Sequence, residues 1–292
     1  MKTALVIGAH GFVGRHLVPK LTGIGYHVTK VDPAATLICK GDLYSFKMSF
    51  ESWLVVFNKA CKTHFDLVVH LGAHIKDVNA RMHAGITAYE DIKLDYEVCK
   101  YVEATKPGCF IAMSSCAVDY VADPYCVVKR TLEAFTSTLA KNGQQVRVLR
   151  PFSGYGYDQT LDYPFPAILE RVVTGENPVT VWGGKQVRDW LHIDDLVDGV
   201  IHSIDNFPNG VPVELGTCKG ATFYQLAEFM LAAYGDSTRT VIGDSTKETS
   251  SSYRVAGSSS FPTIGQNYGW YPYITLEEGI KMEMAKRLVI SS

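Results

Sequence analysis

Tyr125-Cys126-Val127-Val128-Lys129 sets a phenol and an ammonium four residues apart. On a helix that spacing puts both on one face, within reach of a common target. The lysine charge favours the phenolate, which can take a proton from an alcohol or return one to a carbonyl. Ser115 lies just after the apolar run Phe110-Ile111-Ala112-Met113, and its hydroxyl can polarise the same oxygen. Tyr and Lys at this spacing also arise by chance, and Ser114 and Ser115 alone could simply satisfy backbone groups at a strand end. Taken together, Ser115, Tyr125 and Lys129 describe a centre for interconverting an alcohol and a ketone by hydride transfer.

Such chemistry needs a hydride carrier, and the N-terminus offers a place for one. Gly8-Ala9-His10-Gly11-Phe12-Val13-Gly14 follows the strand-like Ala4-Leu5-Val6-Ile7 and opens a helical pattern. In that context Gly8, Gly11 and Gly14 let backbone approach a pyrophosphate, and the first helical residues, Phe12 and Val13, turn their amides toward it. Asp32 ends the second strand, 18 residues after Gly14, where a carboxylate can accept hydrogen bonds from ribose hydroxyls. The following Pro33-Ala34-Ala35-Thr36 holds no arginine for a 2′-phosphate, so NAD is expected rather than NADP. Lys30 is the one nearby cation that speaks for NADP.

The elements that must position these groups alternate regularly. Strands are predicted at 4–7, 27–31, 67–70, 110–113 and 146–149, and helices over 13–21, 50–62, 89–104 and 125–141. This rhythm predicts an α/β fold with a doubly wound parallel sheet. Beyond Arg150-Pro151, prolines and glycines punctuate shorter elements, which predicts a smaller C-terminal lobe ending in a helix near 276–288. The expected division is a dinucleotide-binding domain over 1–150 and a mainly substrate-binding lobe over 151–292, with part of 187–216 returning to the first domain.

Composition excludes several other roles. Lys and Arg total 28 against 30 Asp and Glu, a net charge of −2, so no basic surplus serves a nucleic-acid backbone. No apolar stretch reaches the roughly 20 residues of a membrane span, and residues 1–7 are too short for a signal-peptide core. Seven cysteines without a C-x-x-C pair suggest reduced thiols in a cytoplasmic protein. His70 and His74 lie in an extended run, where their spacing does not converge on a metal, and no metal is expected.

With these residues in place, the chain resembles the extended short-chain dehydrogenase/reductase family, of the NAD-dependent nucleotide-sugar epimerase/dehydratase type (UDP-galactose 4-epimerase-like), whose first domain is a Rossmann fold. Gly8, Gly11 and Gly14 match its glycine motif, Gly41-Asp42-Leu43 its adenine-side segment, and Asp66-Leu67-Val68-Val69-His70-Leu71-Gly72-Ala73 its fourth-strand pattern. The resemblance implies cofactor contacts at Asp42, Leu43, Leu71, Gly72 and Ala73, besides Tyr125 and Lys129. It implies that Ser115, Tyr125 and Lys129 are the catalytic triad. Residues 149–156 resemble the family's L-R-x-x-N-x-Y-G segment and residues 186–195 its Q-x-R-D signature, which implies that Arg188 grips a nucleotide diphosphate. Arg254 resembles a second phosphate-side arginine, and residues 269–279 match the family's tail. A homodimer formed through the helices around 89–104 and 125–141 is a further implication.

Departures from the family pattern narrow the chemistry. Only nine residues separate Ser115 from Tyr125, shorter than the loop usual in sugar epimerases, and Ser153 replaces an asparagine. Cys116-Ala117 stands where the family's dehydratases carry Asp-Glu, which disfavours 4,6-dehydration. Cys116 also sits one position short of the register of the epimerising cysteine in GDP-fucose synthase. The expected activity is C4 epimerisation of a nucleotide-diphosphate sugar through a 4-keto intermediate. The alternatives are a 4-ketosugar reductase, an atypical dehydratase, and a non-catalytic dinucleotide-binding sensor.

Overall fold

The computed structural model describes residues 1–32, 37–39, 42–44, 64–73, 85–119, 124–244, 255–258 and 263–291. Strand β1 (Lys2–Ile7) leads through the glycine turn into helix α1 (Phe12–Gly23) and strand β2 (Tyr26–Val31). Two short antiparallel strands follow, β3 (Leu37–Cys39) and β4 (Asp42–Tyr44). Next come β5 (Leu67–His70), helix α2 (Gly85–Thr105), β6 (Cys109–Met113), helix α3 (Pro124–Lys141) and β7 (Val146–Pro151). The helix expected over 50–62 lies outside the described residues.

A six-stranded sheet has the order β12-β7-β6-β5-β1-β2, in which β12 is Pro212–Leu215. The β1–β2, β1–β5, β5–β6 and β6–β7 pairs are parallel. All four residues of β5 and all five of β6 are buried, as expected for strands covered on both faces. The order reverses between β2 and β5, with β1 at the switch. In such sheets the ligand crevice lies beyond the carboxyl ends of the strands at that point, which is where the glycine turn sits. The underlying core joins Leu5, Ile7, Val68, Leu94, Val98, Phe110, Leu132 and Val148.

The chain divides into two compact units, Met1–Arg150 with Val200–Val213, and Pro151–Gly199 with Glu214–Ser292. The second unit contains β8 (Ser153–Tyr155), α4 (Pro164–Val173), β9 (Val179–Trp182), β10 (Val187–Arg188) and β11 (Trp190–His192). After α5 (Ile193–Asn206) and β12, it continues with β13 (Ala221–Thr222), α6 (Phe223–Tyr234), β14 (Val241–Asp244) and α7 (Leu276–Ser291). Thr222 and Gln225 form a reciprocal capping box at the start of α6, and Gly235 ends it in the left-handed region. Tyr155, Phe165, Trp190, Phe223, Met230 and Ile280 form the core. The buried Glu283 on α7 accepts hydrogen bonds from His192 Nε2 at 3.0 Å, Tyr157 N at 2.8 Å and Lys286 Nζ at 2.6 Å. Burial pushes its carboxyl up, but these donors outweigh burial and hold it below the usual carboxylate range.

Candidate active site

The candidate cofactor cradle begins with Gly8, whose φ of +83° lies in the left-handed region. A Cβ at Gly8 would fall 2.8 Å from Gly72 N, and one at Gly14 would overlap Gly8 O and come within 2.7 Å of Ala9 C and Cα. Only bare backbone fits both positions. Gly8 N donates to Val31 O at 2.7 Å and Gly11 N to Gly8 O at 3.1 Å, which ties the turn to β2 and closes it on itself. Helix α1 starts after Gly11 without a side-chain cap, so its first-turn amides are available to an anion. These features fit the diphosphate of a dinucleotide.

Asp32 at the end of β2 accepts from His10 N through Oδ2 at 3.3 Å, so its carboxylate also steadies the turn. On the other side of the turn, Leu71 N donates to Ile7 O at 2.9 Å. Gly72 is buried and Ala73 is exposed beyond β5. Behind them the buried His70 Nε2 lies 2.7 Å from Asp95 Oδ1 on α2. Asp42 and Leu43 lie on β4.

Ser115, Tyr125 and Lys129 all belong to the first unit. Ser115 follows β6, and its Oγ accepts from Ala117 N at 3.1 Å. With a backbone donor already on that oxygen, the hydroxyl hydrogen is left to point elsewhere. Residues Cys116–Asp119 form a single 3-10 turn, held to α3 by Arg130 Nη1 donating to Val118 O at 2.7 Å. Proline suits the first position of α3, where no helical hydrogen bond is lost, so Pro124 starts the helix directly ahead of Tyr125. Lys129 is 4% exposed and donates from Nζ to Met113 O at 3.0 Å. That bond holds the ammonium 5.7 Å from the Tyr125 ring centroid. A phenol set against a fixed cation, in a unit that also carries a serine hydroxyl at the sheet's carboxyl edge, is equipped to move a proton on and off a substrate oxygen. Cys116 is buried at the start of the 3-10 turn.

Arg188 belongs to the second unit. Its Nη2 donates to Gln186 Oε1 at 3.0 Å, and its guanidinium lies 5.5 Å from the Phe223 ring centroid. Its neighbour Asp189 is 1% exposed and faces inward. One oxygen accepts from Thr217 N at 2.8 Å and Thr217 Oγ1 at 2.6 Å, and the other from Cys218 N and Ala256 N at 3.0 Å each. Asp189→Asn places an N–H2 against backbone N–H donors. At about 1–3 kcal/mol per unsatisfied buried group, the loss is expected to be about 2–4 kcal/mol. A denaturation midpoint equal to that of the parent would refute it. Arg254 lies outside the described residues.

Two participants escape sequence reasoning. Glu133 on α3 accepts Ser114 Oγ at 2.6 Å and also binds Arg150. Asp95, the partner of His70, is one of many acidic residues along a helix. Only the four-residue step from Lys129 to Glu133 hinted that Glu133 shares a helical stripe with Tyr125 and Lys129.

Site and fold together define a dinucleotide-dependent enzyme of the oxidoreductase type. Over residues 4–216 the chain matches the model of the NAD dependent epimerase/dehydratase family, and it belongs to that family, whose cofactor is NAD. GDP-L-fucose synthase 1 of Arabidopsis thaliana is 26% identical over 302 residues, covering 94% of this chain and 90% of that protein. The probable GDP-L-fucose synthase 1 of Oryza sativa subsp. japonica is 31% identical over 120 residues, 39% of this chain and only 35% of that protein. UDP-glucose 4-epimerase of Thermotoga maritima, solved with UDP-glucose, shares the fold with a TM-score of 0.81, 22% identity and coverage of 99% and 100% of the two chains. Among the described residues no helix is long and apolar enough to cross a membrane, and no group of three or more His, Cys, Asp or Glu could hold a metal ion.

Proposed function

We propose that this protein epimerises a nucleotide-diphosphate sugar at C4 through a 4-keto intermediate. The observation that carries the reading is the fixed Lys129 ammonium, bonded to Met113 O at 3.0 Å and set against the Tyr125 ring. Tyr125 removes the proton of the C4 hydroxyl, while the Ser115 hydroxyl donates to the same oxygen and Lys129 stabilises the phenolate. Bound NAD supplies a reversible hydride acceptor, held by Gly8, Gly11, Gly14 and Asp32. Inversion follows when the 4-keto sugar presents its opposite face before Tyr125 returns the proton. Arg188 and Arg254 hold the diphosphate, residues 151–292 supply most of the sugar-nucleotide contacts, and the active form is a cytoplasmic homodimer.

The likeness to GDP-L-fucose synthase along 94% of the chain supports a second reading, a 4-ketosugar reductase that exchanges its cofactor at each turnover. Mass spectrometry of small molecules released from the purified, denatured protein separates the two. Near-stoichiometric NAD is expected for the epimerase, because internal hydride return needs a cofactor that stays. Protein that releases none, yet binds added NADH or NADPH, selects the reductase.

A further inference from the structure

We propose that Glu133, Arg150 and Ser114 form a positioning unit that sets the register of the catalytic helix against the strand carrying Ser115. The inference rests on the reading of Tyr125 as the catalytic acid/base. Arg150 clasps Glu133 with both arms, Nε to Oε1 at 2.8 Å and Nη2 to Oε2 at 2.7 Å. Ser114 Oγ donates to the same Oε1 at 2.6 Å. Ser114 is 2% exposed, and the side chains of Arg150 and Glu133 are 21% and 13% exposed. A fork held this way is shielded and directional, unlike a solvated surface pair.

The three residues come from three elements that must agree. Met113 of β6 pairs with Leu149 of β7, so Ser114 and Arg150 are the next residues at adjoining strand ends, and Ser114 N donates to Leu149 O at 2.8 Å. Glu133 follows Lys129 by four residues and Tyr125 by eight on α3, along one stripe of the helix. Helix α3 is therefore fastened to the end of β6 twice, through Lys129 to Met113 O and through Glu133 to Ser114. A slide of α3 by one residue shifts Tyr125 by about 1.5 Å relative to Ser115. Misplacement on the order of 1 Å can cost about a hundredfold in rate. Arg150 has a further effect. By occupying both oxygens of Glu133, it keeps a carboxylate one turn from Lys129 from drawing the ammonium away from Met113 O and Tyr125.

The test compares Ser114→Ala, Glu133→Gln, the double variant and Arg150→Lys with the parent, in the full chain with NAD present. Conversion of UDP-glucose and UDP-glucuronic acid is followed by NMR, and backbone amide exchange by mass spectrometry. Ser114→Ala and Glu133→Gln are each expected to lower kcat about 10- to 100-fold with KM and NAD content unchanged. The double variant is expected to be no worse than the poorer single one, and exchange over residues 114–119 should quicken while the rest of the first unit keeps its protection. Arg150→Lys retains the charge without the fork and is expected to fall between the parent and Glu133→Gln. Unchanged exchange over residues 114–119 in both single variants overturns the inference, as does a kcat within twofold of the parent. Tyr125→Phe is measured alongside. If it alone abolishes turnover, the catalytic reading stands and the positioning unit falls; if it leaves turnover intact, the catalytic reading falls and exchange alone decides the positioning claim.

Discussion

Tyr125→Phe is expected to lower turnover by about 10²–10⁴-fold, the range that a positioned general acid/base supplies. The substitution removes only Oη. The ring stays beside the Lys129 ammonium, and Lys129 keeps its bond to Met113 O. Folding and cofactor retention should therefore match the parent, which separates this effect from a structural one. The measurement is conversion of UDP-glucose or UDP-glucuronic acid with released NAD quantified from the same preparation. A Phe variant that holds NAD and turns over within tenfold of the parent would remove Tyr125 from the mechanism.

Gly14→Ala should abolish stable NAD binding. The new methyl overlaps Gly8 O and meets Ala9 C and Cα at 2.7 Å, all backbone atoms of the turn that must move aside. Overpacking of this kind costs about 1–3 kcal/mol in stability. The larger loss is to the cofactor, because an opened turn no longer aims the first amides of α1 at the diphosphate. An affinity loss of about a hundredfold corresponds to about 2.7 kcal/mol. Gly23→Ala is the matched control, since a Cβ there meets nothing within 4 Å at the other end of the same helix. Calorimetric titration with NAD of protein first stripped of bound cofactor should show normal binding for Gly23→Ala and none measurable for Gly14→Ala. Equal affinities in the two variants would contradict the assignment of the turn as the cofactor cradle.

The parts legible in the sequence are those written at short range. Glycine spacing after an apolar run announced the turn, short apolar runs and helical patterning announced β1, β5, β6, α1 and α3, and the step from Tyr125 to Lys129 put both side chains on one helical face. Each depends on residues within a turn or two of each other, so local stereochemistry alone decides it. The antiparallel pair β3 and β4 was missed because three-residue strands carry too little periodicity to register.

Contacts between distant residues were decided only by the tertiary structure. His192 meets Glu283 across 91 residues of sequence, and Asp189 meets Ala256 across 67. Glu133 faces Ser114 and Arg150 only because β6 and β7 pair in one register and α3 packs beside them. Composition and spacing rank Glu133 with any other acidic residue on a helix, since nothing in a one-dimensional pattern says which side chain a sheet edge will meet. The spacing of Ser115, Tyr125 and Lys129 was therefore readable from the chain, while the contacts that hold those groups in place exist only once strands and helices are assembled.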